Sequence, residues 1–519
     1  MGKRRGVGQI PSQRSELMGM ELPLSLLWIS LTLVLLYFLT KAAKKNSPSC
    51  NVRLPPGPAG LPVLGSLLEV GDQPHRSLAR LAKTHGPVMA LKLGLTTTVV
   101  VSSPAAAREA LQKKDQPLSA RWVPDAVRVF GHEQVSMIFG PASPSWKHLR
   151  AICSTHLFSV RSLDATRELR QQKARDLVAY VREHAGRPID VGRALFGTVL
   201  NLISNTMFSF DMVDLHSEST QEFRDLVSAL TSEVGKPNLS DFFPVLRIID
   251  PQGRRRQIEV HLKKLFRVFD EIIDQRLSSN PTAAAAERGG DFLGALLQLH
   301  SQSKLDRKAI RSLLADLFAA GTDTSSIATE WAMAELLKNP SKLARVRKEL
   351  EEAIRLPGQE VEESDIARLP YLQAVVKEVL RLHPPAPLLL PHRAAEAGVE
   401  LGGYAVPEEA QVLVNVWAMG RDEEVWAEPE AFAPERFLGR EVDFRGRDFE
   451  LIPFGSGRRA CPGLPLAART VHLLLASLLR SFEWRLPEGM AAADVDLSEM
   501  FGATLAMARP LRAVAVPVV

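Results

Sequence analysis

The stretch from Pro453 to Gly463 reads PFGSGRRACPG and sets one of the chain's three cysteines in a glycine- and arginine-bearing loop, just ahead of a long apolar run. A thiolate is a strong ligand for iron when a metal, a helix N-terminus or backbone N–H donors hold it ionised. Pro462 and Pro465 suit a helix start, and LAARTVHLLLASLL at 466–479 reads as a buried helix. Gly455, Gly457 and Gly463 permit tight turns and close approach of backbone to a flat partner. Arg459, two residues before Cys461, is placed to reach an anionic group at the rim of that partner, and Phe454 to shield the sulfur. Burial as a structural thiol is the ordinary fate of a free cysteine, but a plain core does not need this density of glycine and arginine.

Three other stretches carry residue types at chemically useful spacing. In AGTDTS, 320–325, a Gly and two Thr sit in the middle of a helical pattern that runs from about Ile310 to Lys338 and stops before Pro340. Such residues cost a helix ~1 kcal/mol or more against alanine, and threonine hydroxyls that bond back to carbonyls open a groove. In EVLR, Glu378 and Arg381 lie three apart on one helix face and can pair. In WKHLR, Trp146 and Arg150 lie one helical turn apart. Taken singly, each of the last two is most often surface packing or a solvated pair.

Together, and in this order, these stretches resemble the cytochrome P450 family. PFGSGRRACPG is similar to that family's haem-binding signature at Phe454, Gly457, Arg459, Cys461 and Gly463. The resemblance implies that Cys461 is the axial ligand of haem iron. It implies that Trp146, Arg150, His392 (in LLLPHRA) and Arg459 reach the haem propionates. Glu378, Arg381 and Arg436 (in PERF) would form a structural lock, while Thr324, with Asp323 beside it, would hold the water network that delivers protons for O₂ chemistry. The implied cofactor is haem b (iron protoporphyrin IX). The implied reaction is insertion of one oxygen atom into an unactivated C–H or C=C bond, with NADPH electrons from a separate, membrane-bound reductase. Thr324 speaks against an isomerase or dehydratase that needs no O₂. With Asp323 and the anchor described below, it also speaks against a non-catalytic haem-binding protein.

The elements that must position these residues read as mainly α with a small β portion. Strand-like pieces fall at 88–102, 399–417 and 511–519, and helical patterns dominate from about residue 74. Leu22–Leu39 is uncharged, long enough to cross a bilayer, and followed by Lys41, Lys44 and Lys45 rather than a cleavage site. The chain is therefore expected to comprise an N-terminal extension (1–21), a transmembrane anchor (22–39), a basic and proline-rich hinge (40–65) and one catalytic domain (66–519). With translation from Met18 or Met20 the body faces the cytosol, as in a single-pass endoplasmic reticulum protein. Residues 1–53 hold eight basic and two acidic side chains, a net +6 against +5 for the whole chain; the body is near −1, which gives nucleic-acid binding no support. Unpaired cysteines at 50, 153 and 461 exclude a disulfide framework and a zinc site.

Family position places the loop 119–130, Phe318, Ala319, PPAPLLL (384–390, with Leu388 and Leu389) and FGATL (501–505, with Phe501) around the substrate. These are mostly apolar or small, which suits a lipophilic substrate. The LPPGP hinge, LLLPHRA and SPSWKHLRAICSTHLFS resemble plant A-type enzymes of the geraniol 8-hydroxylase-like kind. That likeness points to a mono- or diterpenoid, with a phenolic or a fatty acid as the alternative.

Overall fold

A computed structural model describes residues 53–217, 219–278, 290–356 and 358–518, together with Gly2 and six positions between 28 and 35. Short polar residues and prolines decide where its helices start. Ser143 accepts the Trp146 N–H ahead of α1 (Pro144–His156), and Asp190 that of Arg193 ahead of α2 (Val191–Phe208). After α3 (Arg254–Ser278), Asp306 accepts the Ala309 N–H and opens α4 (Arg307–Lys338). Pro370 begins α5 (Pro370–Leu382), and Gly463 precedes α6 (Leu464–Ser481).

Helix α4 is the axle of the molecule. It is apolar on most faces and buried along nearly its whole length, as a helix of that composition must be. It packs against α2, α3, α5 and α6, whose side chains merge with it into one apolar core. The hydroxyls of Thr322, Thr324 and Ser326 donate back to the carbonyls of Phe318, Ala320 and Thr322 at 2.9, 2.8 and 2.9 Å. The helix nevertheless runs unbroken through them. Gly321 has a packing reason as well: a Cβ there would lie 3.0 Å from Ile203 Cδ1 of α2.

The principal sheet has five strands: β1 (Val88–Leu93), β2 (Thr96–Val101), β3 (Ala120–Arg121), β4 (His392–Arg393) and β5 (Gln411–Val414). Their order is β1-β2-β5-β4-β3, with β2 and β5 parallel and the remaining pairs antiparallel. The β3–β4 register sets Arg121 directly opposite His392. The three strand-like pieces in the sequence correspond to β1–β2, to the hairpin 399–406 with β5, and to Arg512–Pro517. The two-residue strands β3 and β4 have no periodicity to betray them.

The extended, proline-rich stretch beginning at Arg53 lies along the sheet: the Ala90 N–H donates to Pro56 O at 2.8 Å and the Ala405 N–H to Arg53 O at 3.0 Å. The span 22–39 and the AAAA run at 283–286 lie outside the described residues, apart from six helical positions within that span. Among the described residues no helix is long and apolar enough to cross a membrane.

Behind the core, Glu378 and Arg381 of α5 are wholly buried and joined by two bonds, Nε to Oε2 at 2.7 Å and Nη2 to Oε1 at 2.8 Å. Arg436 donates to the same carboxylate at 3.0 Å, and so does the Ala433 N–H at 2.7 Å. Arg381 reaches the carbonyls of Gly420, Pro429 and Ala431, stitching α5 to the 420–436 meander. One carboxylate thus compensates two guanidiniums in a dry site, and removing it leaves both uncompensated. Glu378→Gln is expected to destabilise the fold by about 3–5 kcal/mol, seen as a large fall in unfolding temperature. Lys348→Ala, which breaks the exposed pair with Glu352, is expected to leave that temperature unchanged.

Candidate functional site

A cavity of about 400 Å³ separates α4 from the 453–463 loop. Ala319, Ala320, Gly321 and Thr324 form its α4 side; Phe454, Gly455, Cys461 and Gly463 face them from the loop. The loop holds its shape by its own backbone: the Cys461 N–H donates to Phe454 O at 2.9 Å. Gly457 has φ 67°, and a Cβ there would collide with Leu111 O, so only glycine fits both the conformation and the approach. The Phe454 ring lines the cavity and packs on Phe444, with centroids 5.6 Å apart.

Cys461 is exposed on the wall of this cavity, with protein packed around the rest of the loop. Burial pushes its pKa up, while the N–H groups of Gly463 and Leu464 at the start of α6, and the Arg150 charge, pull it down without winning. Those donors leave the pKa raised, and a metal cation bound to the sulfur would act in the opposite sense, favouring the thiolate.

Four nitrogen-bearing side chains crowd one edge of the cavity. Arg121 donates to Leu390 O at 2.8 Å and Ile138 O at 3.3 Å, Arg150 to Ala460 O at 2.9 Å, and Arg459 to Ser119 O at 2.9 Å and Gly140 O at 2.6 Å. Among the described residues none of the three makes an ion pair with a carboxylate. Burial first, then repulsion from neighbouring guanidiniums (Arg459 and Arg150 on Arg121, Arg150 and Arg458 on Arg459), lowers Arg121 to about 9 and Arg459 to about 10. His392 gives its Nδ1–H to Leu118 O at 2.7 Å; burial and the neighbouring Arg121 hold it at about 3, so it is neutral. Arg459 Nη1 is buried without a partner. A dry apolar slot with a thiol on one wall and an uncompensated cationic edge fits a flat metal macrocycle bearing carboxylates, as haem does.

The structure brings together Cys461, Gly463, Phe454, Arg459, Arg150, His392, Thr324, Ala319 and Leu389 around the cavity. Other expectations need correction. Trp146 does not line it: the indole N–H is committed to Met137 O at 2.9 Å, so the ring acts as a platform, with the Arg459 guanidinium 4.2 Å and that of Arg150 5.2 Å above it. Phe318 points into the core, where it meets Phe208 at 5.7 Å and Phe269 at 5.3 Å. Phe501 stacks on His75 at 5.5 Å, and Leu388 packs under the sheet. Asp323 is buried away from the cavity wall.

Sequence reasoning missed two residues. Arg121 was placed with the substrate loop; a lone cation in the apolar run SARWV was its signal. Asp316 is a buried acid on α4 that accepts from the Met137 N–H at 2.6 Å, from Ser136 Oγ at 2.9 Å and from His132 Nε2 at 3.1 Å. It pins the loop whose Met137, Ile138 and Phe139 form a cavity wall.

Residues 55–509 match the family described as Cytochrome P450. The chain is 50% identical to Cytochrome P450 76M5 of Oryza sativa subsp. japonica over 500 residues, covering 94% of this chain and 98% of that protein. It is equally 50% identical to geraniol 8-hydroxylase of Swertia mussotii (89% and 94% covered) and to oryzalexin E synthase of Oryza sativa subsp. japonica (93% and 96% covered).

If the cationic edge holds carboxylates, Arg121→Met and Arg459→Met should each speed haem loss to an acceptor globin by about tenfold or more, since a charge-assisted hydrogen bond is worth ~1.5–3 kcal/mol. Arg458→Met, on the same loop but paired with Asp115 at 3.2 Å, should leave that rate unchanged.

Proposed function

The chain belongs to the cytochrome P450 family and is therefore an oxygen-dependent haem-thiolate monooxygenase; from that premise we propose that its substrate is a mono- or diterpenoid, hydroxylated at an unactivated carbon. When bound, haem b supplies O₂ activation and insertion of one oxygen atom, with electrons that originate in NADPH and arrive through a reductase. The residues of this chain do the rest. Cys461 supplies the thiolate, and Arg121, Arg150 and Arg459 hold the propionates. His392 can donate to a propionate only once protonated, because its Nδ1–H is already engaged, and the anion itself favours that protonation. Thr324 gives its O–H to Ala320 O and so presents lone pairs to a water, with the Asp323 carboxylate one residue away on the helix.

The observation that carries the substrate reading is the character of the cavity wall. Val199, Leu202, Ile203, Leu262 and Leu265 line it from α2 and α3. The hydroxyls of Thr206 and Thr231 are turned back onto carbonyls of their own helices. The lining acid, Asp316, is saturated by its loop donors. The three guanidiniums sit at the propionate edge, so a fatty-acid carboxylate meets no cation of its own. A hydrocarbon skeleton fits such a wall, and the printed names of the relatives, geraniol 8-hydroxylase and oryzalexin E synthase, lie in the same class. The uncharged run 22–39 supports a membrane anchor, which would place the catalytic body at the cytosolic face of the endoplasmic reticulum, beside a membrane-bound NADPH–cytochrome P450 reductase.

Microsomes holding this chain and a plant reductase, offered labdane-related diterpene olefins, monoterpene alcohols, phenolics and fatty acids, are expected to add one oxygen atom to a terpenoid, read by mass spectrometry. Turnover of phenolics or fatty acids alone would overturn the reading. Thr324→Ala is expected to lower product formed per NADPH consumed by about tenfold or more, because positioned proton transfer is worth ~10²–10⁴-fold.

A further inference from the structure

A second buried carboxylate, like Glu378, gathers donors from segments far apart in the sequence. Glu499 opens the first strand of a hairpin, Glu499–Phe501 paired with Leu505–Met507. It is almost wholly buried and receives three donors from distant segments. His75 Nε2–H donates to Oε2 at 3.0 Å, Arg76 Nε–H to the same oxygen at 2.7 Å, and the Trp417 indole N–H to Oε1 at 3.0 Å. The helix Pro74–His85 and the turn after β5 are thereby fastened to one side chain; Asn415 closes the circuit by donating to His75 O at 2.9 Å. Burial opposes ionisation of Glu499, but the bonds from His75 and Trp417 and the Arg76 charge outweigh it and hold the group at about 2.

The hairpin ends at the cavity. Ala503 and Thr504, at its tip, line the wall. The second strand is held at Leu505, whose N–H donates to Pro385 O at 2.9 Å and whose carbonyl accepts the Trp331 indole N–H at 3.1 Å. The tip has no slack on its outer side: a Cβ on Gly235, the last residue of the helix Ser219–Gly235, would collide with the backbone of Gly502 and Ala503. Leu230, Thr231 and Val234 of that same helix also line the cavity. The spacing between two cavity walls is therefore set by where the hairpin is anchored.

We propose that Glu499, through its bonds to His75, Arg76 and Trp417, is a positioning residue for substrate selection: it fixes the tip of the 499–507 hairpin against Gly235 and so sets which shapes the cavity admits. This rests on reading the cavity as the substrate site, but not on the terpenoid assignment. Nothing in the network touches the cysteine loop or the cationic edge, so losing it alters the shape of the cavity and leaves haem ligation alone.

The test uses ligands that bind haem iron in the holoenzyme whatever the natural substrate is. Imidazole and a pair of isomeric N-alkyl imidazoles, one linear and one branched, are titrated by absorption shift against the wild type and Glu499→Gln. The ratio of Kd for the branched and linear ligands is expected to move by about fivefold or more, while Kd for imidazole stays within about twofold. His75→Asn should move the ratio in the same direction. Trp417→Phe, which removes one neutral donor, should do so to a smaller extent, and it carries the test if Glu499→Gln does not retain haem. An unchanged ratio, or parallel weakening of all three ligands, would overturn the proposal. A terpenoid that fails to turn over in the wild type, with the ratio shifted as stated, would sink the substrate assignment alone.

Discussion

Three guanidinium groups at one cavity edge, Arg121 and Arg459 buried and Arg150 half-buried, have backbone carbonyls as partners and, among the described residues, no paired carboxylate; they are the constraint around which the rest of this molecule is arranged. Burial lowers the pKa of all three; Arg459 and Arg150 lower Arg121 further, and Arg150 and Arg458 lower Arg459 further, while one nitrogen of Arg459 has no acceptor among the described residues. Like charges in a low-dielectric site repel, so an anion bound at this edge would relieve a repulsion that no carboxylate among the described residues offsets. The Cys461 thiol poses the complementary problem on the cavity wall, since burial raises its pKa and a bound cation would favour the thiolate. A metal macrocycle with carboxylate arms answers both demands, which is why the protein and haem are best regarded as one folded unit.

The architecture makes those two demands coincide. The sheet register puts Arg121 opposite His392. The Trp146 ring supports Arg459 and Arg150, and its indole N–H ties that platform to Met137, which Asp316 holds from α4. The stretch 136–140, fastened between α1 and α4, thus touches both the cationic edge, through Ile138 O and Gly140 O, and the cavity wall, through Met137, Ile138 and Phe139. Elsewhere, Glu378 serves the 420–436 meander and Glu499 serves the hairpin. Each is a buried acid that accepts from several segments far apart in sequence, and each fixes a part of the chain that has little regular structure of its own.

What the sequence disclosed follows a physical division. Local spacing marked out residues that the fold brings to defined places: Cys461 within its glycine loop and Thr324 of α4 on the cavity wall, and Glu378 paired with Arg381 three residues on. Helix α4 was legible from apolar periodicity and from Pro340. Long-range geometry was not. Phe318 and Phe501 are aromatic residues of the right kind at nearly the right place, yet a rotation of one helix position, or a stacking partner as distant as His75, turns them away from the cavity. Arg121 was overlooked because a two-residue strand carries no pattern. Trp146 was assigned a direct bond that its indole N–H cannot make once Met137 O has it. Only the folded chain shows which donors are already engaged.

The central claim is that Cys461 is a thiolate ligand to haem iron in a site completed by the cationic edge. The carbon monoxide difference spectrum of the reduced protein reads that ligation directly. The wild type is expected to show the strongly red-shifted band of thiolate-ligated haem, and Cys461→Ser to lose that band while the fold, followed by circular dichroism, persists. A wild-type band at the position of histidine-ligated haem, or a red-shifted band surviving in Cys461→Ser, would contradict the account.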